Sequence, residues 1–247
     1  MKDVVVGPDE ARMRYVDLPG HEPARVFLHG LGSSSPAYFA RIAADPGLGA
    51  HRSLLLDFLG FGMSDRPACF GYGLRDHALS VARALDALGV RHADIVAHSM
   101  GGSIAIILAS ERPDLVRRLV VAEPNLVPTR RPRLEGHTEQ TFVAEGFARA
   151  LAAVGPHWAA TMRLADPLAL YRSERSLGEV NDPMMKDLLR ALNVPCTYIK
   201  GSLTGVTAHE RAVQSAGIPV IEVADAGHNM MLDSPAGFLR ALRSALA

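Results

Sequence analysis

The chain has 247 residues, with 26 Lys and Arg, 26 Asp and Glu, and 48% hydrophobic residues. The formal net charge is therefore zero, which argues against nucleic-acid binding and against attraction to an anionic membrane. No stretch approaches the ~18 consecutive apolar residues of a membrane span, and the N-terminus has no signal-peptide core. Cys69 and Cys196 form neither a zinc motif nor a disulfide framework. We expect a cytoplasmic globular protein whose partner is a small molecule; the oligomeric state stays open.

The first part of the chain predicts strands. Two extended pieces, Val4–Gly7 and Ala11–Leu18, are separated by a Gly-Pro-Asp turn and are expected to form an antiparallel hairpin. Beyond them, short apolar runs bounded by turn residues alternate with helical patterns, which is typical of a parallel sheet buried on both faces. The apolar runs are Ala24–His29, Ser53–Asp57, Ala93–His98 and Leu119–Ala122, and the helical patterns are Leu74–Leu88 and Met100–Glu111.

The strand–helix rhythm breaks after Glu123 and resumes at Cys196. Between them lie three helical patterns, Gln140–Val154, Trp158–Leu164 and Pro183–Leu192, and beyond them lie Cys196–Lys200, Ala208–Ala216, Val220–Val223 and Pro235–Ala245. We predict an α/β fold with a mostly parallel, doubly wound sheet of about eight strands, whose N-terminal hairpin is antiparallel. The core domain is 1–124 and 194–247, and residues 125–193 are an inserted helical cap.

A candidate nucleophile lies in the hexapeptide Ala97-His98-Ser99-Met100-Gly101-Gly102, between a buried strand and a buried helix. A serine on so sharp a turn needs a strained backbone and small neighbours, and the turn lifts its hydroxyl clear of the sheet. The first N–H groups of the helix point at the same space. We predict Ser99 as the nucleophile; the alternative is a serine in a tight turn without chemistry.

A candidate oxyanion hole involves the loop His29-Gly30-Leu31-Gly32. In acyl transfer, preorganised N–H donors stabilise the tetrahedral oxyanion, and removing one costs about 2.7–4 kcal/mol. We expect the backbone N–H groups of Leu31 and Met100 to be these donors. The His29 side chain is expected only to hydrogen-bond to backbone.

A serine nucleophile needs a base, and His228 is the best placed of the ten histidines. It lies in a Gly-containing loop after the last predicted strand, at the carboxyl edge of the sheet, where open α/β folds bind their ligands. His98 is less suitable because adjacent side chains on a strand diverge.

Four motifs give the chain a resemblance to the α/β-hydrolase superfamily over nearly all of its length. They are HGLG at 29–32, DFLGFGMS at 57–64, AHSMGG at 97–102 and AGH at 226–228. The resemblance implies a serine–histidine–acid triad and no metal or organic cofactor. It is weak for any substrate.

The third member of the triad departs from that pattern. In similar hydrolases it is most often an Asp in the loop after the strand that follows the cap, but here that loop holds Thr204, and no Asp occurs between 188 and 224. Glu123 is the favoured acid, since dehalogenase-like branches carry theirs after the same strand. The open alternatives are Asp225, Asp233, Glu210 (expected on a solvated helix), or no acid at all.

The predicted cap suggests a mostly apolar substrate pocket. Candidate lining residues are Phe142, Phe147, Trp158 and Met230. Arg130, Arg131 and Arg133 could meet an anionic substrate, but a solvated loop is the favoured interpretation.

These residues predict a serine hydrolase that cleaves an ester or related acyl bond of a small substrate, resembling a carboxylesterase, through an acyl-enzyme. Alternative activities are C–C bond hydrolase, lactonase and thioesterase. Further alternatives on the same scaffold are a non-hydrolytic lyase and a small-molecule receptor. Haloalkane dehalogenases and epoxide hydrolases of this fold attack with Asp, so Ser99 disfavours both activities.

Overall fold

Eight strands form one sheet in the computed structural model, which describes residues 1–180 and 183–247. Their order across the sheet is β1-β2-β4-β3-β5-β6-β7-β8. The β1–β2 and β2–β4 pairs are antiparallel and all other neighbours are parallel. The strands are β1 (Lys2–Val5), β2 (Arg12–Leu18), β3 (His21–Leu28), β4 (His51–Leu56), β5 (Ala93–His98), β6 (Val116–Ala122), β7 (Cys196–Gly201) and β8 (Val220–Val223). The predicted fold class is confirmed.

Helices flank the sheet and fill the segment between β6 and β7. The flanking helices are α1 (Ser35–Ala43), α2 (Leu74–Ala87), α3 (Met100–Glu111), α9 (Ala208–Ser215), α10 (Met230–Asp233) and α11 (Pro235–Leu246). The helices between β6 and β7 are α4 (Glu139–Thr141), which continues through a π-helical turn (Phe142–Gly146) into α5 (Phe147–Ala153), then α6 (Pro156–Met162), α7 (Pro167–Gly178) and α8 (Met185–Arg190). Residues 181 and 182 of the predicted cap lie outside the described residues.

Both faces of the sheet are buried, which explains the continuous apolar runs of its central strands. Along β3, Phe27 packs on one face with Phe39 and Phe238, while Val26 and Leu28 belong to the cluster on the other face. A strand with two buried faces cannot alternate apolar and polar residues. The apolar runs therefore mark the centre of the sheet.

Helix α7 was not predicted, although it is the longest helix between β6 and β7 in the described residues. Asp166 accepts a hydrogen bond from the Ala169 N–H at 3.0 Å and begins the helix. Its buried side chains include the polar residues Ser173 and Glu174. Because polar residues occupy part of the buried face, the sequence lacks the apolar periodicity by which such a helix is recognised.

Contacts with the loop after β4 place α7 over the carboxyl end of the sheet. The Asp166 N–H donates to the Gly60 carbonyl at 2.8 Å, and the Ser173 hydroxyl donates to the Tyr72 carbonyl at 3.0 Å. Ligands of open α/β folds bind at this end of the sheet.

In the described part of the chain, none of the helices has the length and apolar character that a membrane span requires.

Candidate active site

Ser99 lies on a strained turn between β5 and α3. Its φ is 52° and its ψ is −121°, a conformation that costs a non-glycine residue of the order of 1–3 kcal/mol. Helix α3 comes so close to the preceding loop that a Cβ on Gly101 would lie 2.5 Å from the carbonyl oxygen of His29. The structure therefore has the strain and the close approach that the sequence predicts. Ser99 follows the carboxyl end of β5 and lines a cavity there.

The backbone N–H groups of Leu31 and Met100 are free to act as donors. Among the described residues, neither of them donates a hydrogen bond to a protein acceptor. Met100 is the first residue of α3, so its N–H also carries the positive end of the helix dipole. The His29 side chain bonds to backbone, as predicted: its Nδ1 lies 2.7 Å from the Gly30 carbonyl, and its Nε2 accepts from the Phe58 N–H at 3.1 Å.

Glu123 and His228 are hydrogen-bonded to each other. Oε2 of Glu123 lies 2.7 Å from Nδ1 of His228, and Oε1 accepts from the Gly201 N–H at 2.9 Å. Glu123 is buried just beyond the end of β6, with a φ of 46°, whereas the His228 side chain is 49% exposed. Burial raises the pKa of Glu123, but hydrogen bonds from His228, Gly201 and Thr204 outweigh burial, so the pKa lies below its usual value. The carboxylate is therefore charged near neutral pH.

No hydrogen bond joins a competing carboxylate to the His228 ring among the described residues. Asp233 accepts a hydrogen bond from the Gly227 N–H at 2.9 Å, and the backbone N–H of Asp225 donates to Ser202 at 3.0 Å. Glu210 is buried, in contrast to the solvated position expected for it, because it pairs with Lys200 at 3.0 Å. Within the described residues, only Glu123 contacts the His228 ring with a carboxylate.

One cavity of about 380 Å³ brings several of the predicted residues together. It is lined by Gly30, Leu31, Ser33, Tyr38, His98, Ser99, Asn125, Arg131, Arg133, Trp158, Leu177, His228 and Asn229. No hydrogen bond joins the hydroxyl of Ser99 to His228 among the described residues; contacts of this kind often tighten only when substrate is bound. A cavity of this volume suits a small molecule.

The family of the chain follows from comparison with known proteins. A family model described as alpha/beta hydrolase fold matches residues 23–195. The chain belongs to the α/β-hydrolase fold family. The predicted resemblance is thereby confirmed.

Within this family, several known proteins are similar to the chain. A 2-hydroxymuconate semialdehyde hydrolase from Pseudomonas putida is 39% identical over 99 residues, which are 39% of this chain and 34% of that protein. The chain spans about a third of the length of the first curated relatives it matches. The structure of an enol-lactonase from Burkholderia xenovorans LB400 has a TM-score of 0.82 at 20% identity and covers 99% of both chains. That of a thermophilic esterase from Thermogutta terrifontis has a TM-score of 0.83 at 18% identity and covers 100% of this chain and 98% of its own. The two structural likenesses concern the fold.

Of the four pocket residues predicted for this α/β-hydrolase, the structure places Trp158 in the cavity wall and the other three in the core. Phe142 is fully buried against Tyr171, with ring centroids 5.4 Å apart, and Phe147 packs against the same cluster. Met230 is fully buried in the cluster on the opposite face of the sheet. Since core and pocket residues are equally apolar, the sequence does not separate them.

The arginines after β6 differ from the predicted solvated loop. Arg130 is exposed and pairs with Glu135, but Arg131 and Arg133 turn inward and line the cavity. The cavity is therefore more polar than the predicted apolar pocket. Nothing in the sequence around these arginines, including the prolines at 128 and 132, distinguishes those that line the cavity from the one that faces solvent. Among the described residues, no group of three or more His, Cys, Asp or Glu side chains is arranged to hold a metal ion.

Proposed function

We propose that the chain is a serine hydrolase that cleaves an ester or a related acyl bond of a small substrate through an acyl-enzyme intermediate. The proposal rests on one observation: Ser99 and His228 line the same cavity, while Glu123 holds Nδ1 of His228 at 2.7 Å. This order of groups is that of a nucleophile, a base and the carboxylate that orients the base.

In the proposed reaction, the Ser99 hydroxyl attacks the substrate carbonyl and its proton moves to Nε2 of His228. Glu123 accepts the Nδ1–H hydrogen bond, which fixes the tautomer and stabilises the imidazolium. The N–H groups of Leu31 and Met100 stabilise the oxyanion. Collapse of the intermediate releases the alcohol, which takes the proton from Nε2. A water molecule then attacks the acyl-enzyme with His228 as base, and Ser99 is regenerated.

We also propose that residues 125–193 act as a cap over this site. Five of the residues that line the cavity come from this segment: Asn125, Arg131, Arg133, Trp158 and Leu177. These residues would select the substrate, while the core domain would supply the reacting groups.

A second candidate activity is hydrolysis of a carbon–carbon bond. It is favoured by the similarity to 2-hydroxymuconate semialdehyde hydrolase. A muconate semialdehyde contains no ester, so this activity would break a C–C bond. The acyl part would leave as a carboxylic acid after attack by water, and the departing carbon would take up a proton where an ester would release an alcohol. The same cavity would serve both reactions.

The test is covalent labelling with a fluorophosphonate, together with turnover of p-nitrophenyl acetate and of 2-hydroxymuconate semialdehyde. Wild type is expected to be labelled and to release p-nitrophenol, and Ser99→Ala is expected to do neither. Absence of labelling in the wild type would rule out Ser99 as the nucleophile. Turnover of the semialdehyde but not of the ester would favour the second candidate.

A further inference from the structure

We propose that Arg131 forms an anion-binding subsite in the cavity and that the substrate carries a carboxylate besides the bond that is cleaved. This inference rests on the proposed function, because it assigns the class of substrate for the same site. It begins with the charges around the cavity, since no Asp or Glu is among its lining residues.

Arg131 lies against the C-terminal end of α7. Its Nη2 donates to the carbonyl of Leu177 at 3.0 Å, and a Cβ on Gly178 would lie 3.1 Å from its Cγ. The absence of a side chain at Gly178 therefore makes room for the arginine. The last carbonyls of a helix have no partner within the helix and carry its negative end, so they suit a guanidinium.

Arg131 has no direct counter-ion within the described part of the chain, and the Glu174 carboxylate that offsets part of its charge is paired with Arg133. Arg131 forms no ion pair with a carboxylate there, and its buried Nε has no hydrogen-bond partner. The side chain is half-buried, and burial lowers the pKa of its guanidinium. A partly desolvated charge without a counter-ion is unfavourable, so an anion that reaches it would be bound favourably.

The other arginine that lines the cavity already has a counter-ion. Arg133 forms two hydrogen bonds with Glu174, at 2.7 and 3.1 Å, and Glu174 is fully buried. His228 has its partner in Glu123. Among the described residues, Arg131 is thus the arginine in the cavity lining that has no ion-pair partner. One charge matches a carboxylate better than a phosphate dianion, and the planar guanidinium matches the two oxygens of a carboxylate.

The volume of the cavity limits how far the carboxylate can lie from the reacting carbonyl. Ser99 and Arg131 line the same space of about 380 Å³, so one small molecule can reach both. The subsite would hold the carboxylate while the carbonyl lies at the serine. Binding energy from this remote group would position the reacting bond.

The experiment compares two esters of equal shape, 3-acetoxybenzoate and 3-acetoxybenzamide, of which only the first is charged. Their hydrolysis by wild type, Arg131→Met and Arg130→Met is followed from release of the phenol. Arg130→Met is the matched control, because it removes the same charge from the same loop outside the cavity. In parallel, calorimetry measures binding of both esters to Ser99→Ala and to Ser99→Ala/Arg131→Met.

Wild type is expected to prefer the benzoate in kcat/KM by about 10- to 100-fold, as for a hydrogen-bonded charge pair. Arg131→Met should abolish this preference, so that kcat/KM for the benzoate falls about 10- to 100-fold more than that for the benzamide, and Arg130→Met should retain the preference. Equal kcat/KM for the two esters in wild type would overturn the inference without any variant. An equal loss on both esters in Arg131→Met would overturn it as well.

Calorimetry separates failure of the subsite from failure of the proposed function. If wild type hydrolyses neither ester and is not labelled by a fluorophosphonate, the proposed function fails, but Ser99→Ala still reports on binding. Tighter binding of the benzoate that is lost with Arg131→Met would support the subsite in either case. Equal binding of both compounds would overturn the assignment of a carboxylate. Phenyl phosphate is titrated in the same way, and tighter binding of phenyl phosphate than of 3-acetoxybenzoate would overturn it as well.

Discussion

The indole Nε1–H of Trp158 donates a hydrogen bond to the carbonyl oxygen of Leu31 at 2.9 Å. This bond joins α6 to the loop that carries one of the two proposed oxyanion donors. The next residue, Gly32, has a φ of +63°, and a Cβ there would lie 3.1 Å from the indole nitrogen. The guanidinium of Arg133 lies over the indole ring, 4.8 Å from its centroid. The helical segment therefore helps to set the position of the oxyanion loop.

Trp158→Phe keeps an aromatic ring and removes the hydrogen bond to Leu31. We expect kcat/KM for p-nitrophenyl acetate to fall about fivefold, since such a bond contributes about 1 kcal/mol. His157→Gln, an exposed position on the same helix, should leave kcat/KM unchanged. Steady-state release of p-nitrophenol measures both, and circular dichroism in urea checks stability. A Trp158→Phe variant with wild-type kcat/KM would show that the contact does not position the donor.

Glu123→Gln should lower kcat by about a thousandfold or more, with KM little changed. The amide has nearly the same size, but it cannot stabilise the imidazolium of His228, and its NH2 group would favour the wrong tautomer. Asp225→Asn is the control, because its side chain does not contact the His228 ring in the described structure. We expect that variant to stay within about twofold of wild type. Comparable losses in both variants would contradict the assignment of the acid.

Thr204 offers a second test of the displaced acid. It lines a second cavity, of about 310 Å³, together with Glu123 and His228, and it occupies the position at which the family resemblance predicts an Asp. Glu123→Gln/Thr204→Asp is therefore expected to recover about tenfold in kcat relative to Glu123→Gln alone, because the carboxylate returns to the same histidine. Glu123→Gln/Thr204→Asn is the uncharged control and should recover nothing. A rescue by Asn as large as that by Asp would exclude a carboxylate effect.

The central elements of the fold could be predicted from sequence because their signals are local. Strands β5 and β8 and helix α3 have the predicted bounds. The strained conformation of Ser99 follows from a strand and a buried helix separated by one residue. Glu123 is favoured as the acid because the resemblance to dehalogenase-like branches implies an acid after this strand and because Thr204 occupies the more usual position.

The features that escaped prediction depend on tertiary contacts. Helix α7 buries Glu174 only because Arg133, 41 residues away in sequence, pairs with it. For the same reason, the sequence could not tell that Arg131 and Arg133 face a cavity while Arg130 faces solvent. Apolar residues such as Phe142 look alike in sequence whether they fill the core or line a pocket.

His98 should make the stability of the protein sensitive to acid. Burial, and then the charge of His228, lowers the pKa of its imidazole to about 3, while its Nε2–H donates to the His228 carbonyl at 2.8 Å. In the unfolded chain the same group has a pKa of about 6.5. The unfolded state therefore binds an extra proton between these values, so the contribution of His98 is complete above pH 6.5 and is lost as the pH falls towards 3.

His98→Gln keeps a donor for the carbonyl of His228 but does not titrate. We expect its free energy of unfolding to decline less steeply than that of wild type between pH 6.5 and pH 4, measured by urea denaturation. The decline should not vanish, because His77 is also fully buried, with its pKa lowered to about 3. His157→Gln, exposed on α6, should retain the wild-type slope. Parallel curves for His98→Gln and wild type would show that His98 does not contribute to the acid sensitivity.

The Arg133–Glu174 pair is predicted to be costly to break from one side only. Arg133→Met leaves the fully buried Glu174 without its partner, and loss of one member of a buried pair destabilises a protein by about 3–5 kcal/mol. Arg133→Met/Glu174→Leu should recover most of that loss, since apolar side chains of similar volume can replace a buried pair. Arg149→Met breaks an exposed pair with Glu145 and should cost less than about 1 kcal/mol.

Urea denaturation of the four proteins at one pH measures these differences. If Arg133→Met destabilises no more than Arg149→Met, Glu174 must find water or another donor when its partner is lost, and the pair does not stabilise α7. If the double variant is as unstable as Arg133→Met, the loss reflects the missing contact of the guanidinium with Trp158 and not the unpaired carboxylate. Recovery in the double variant would show that the unpaired Glu174 carboxylate, and not the loss of the guanidinium, destabilises Arg133→Met.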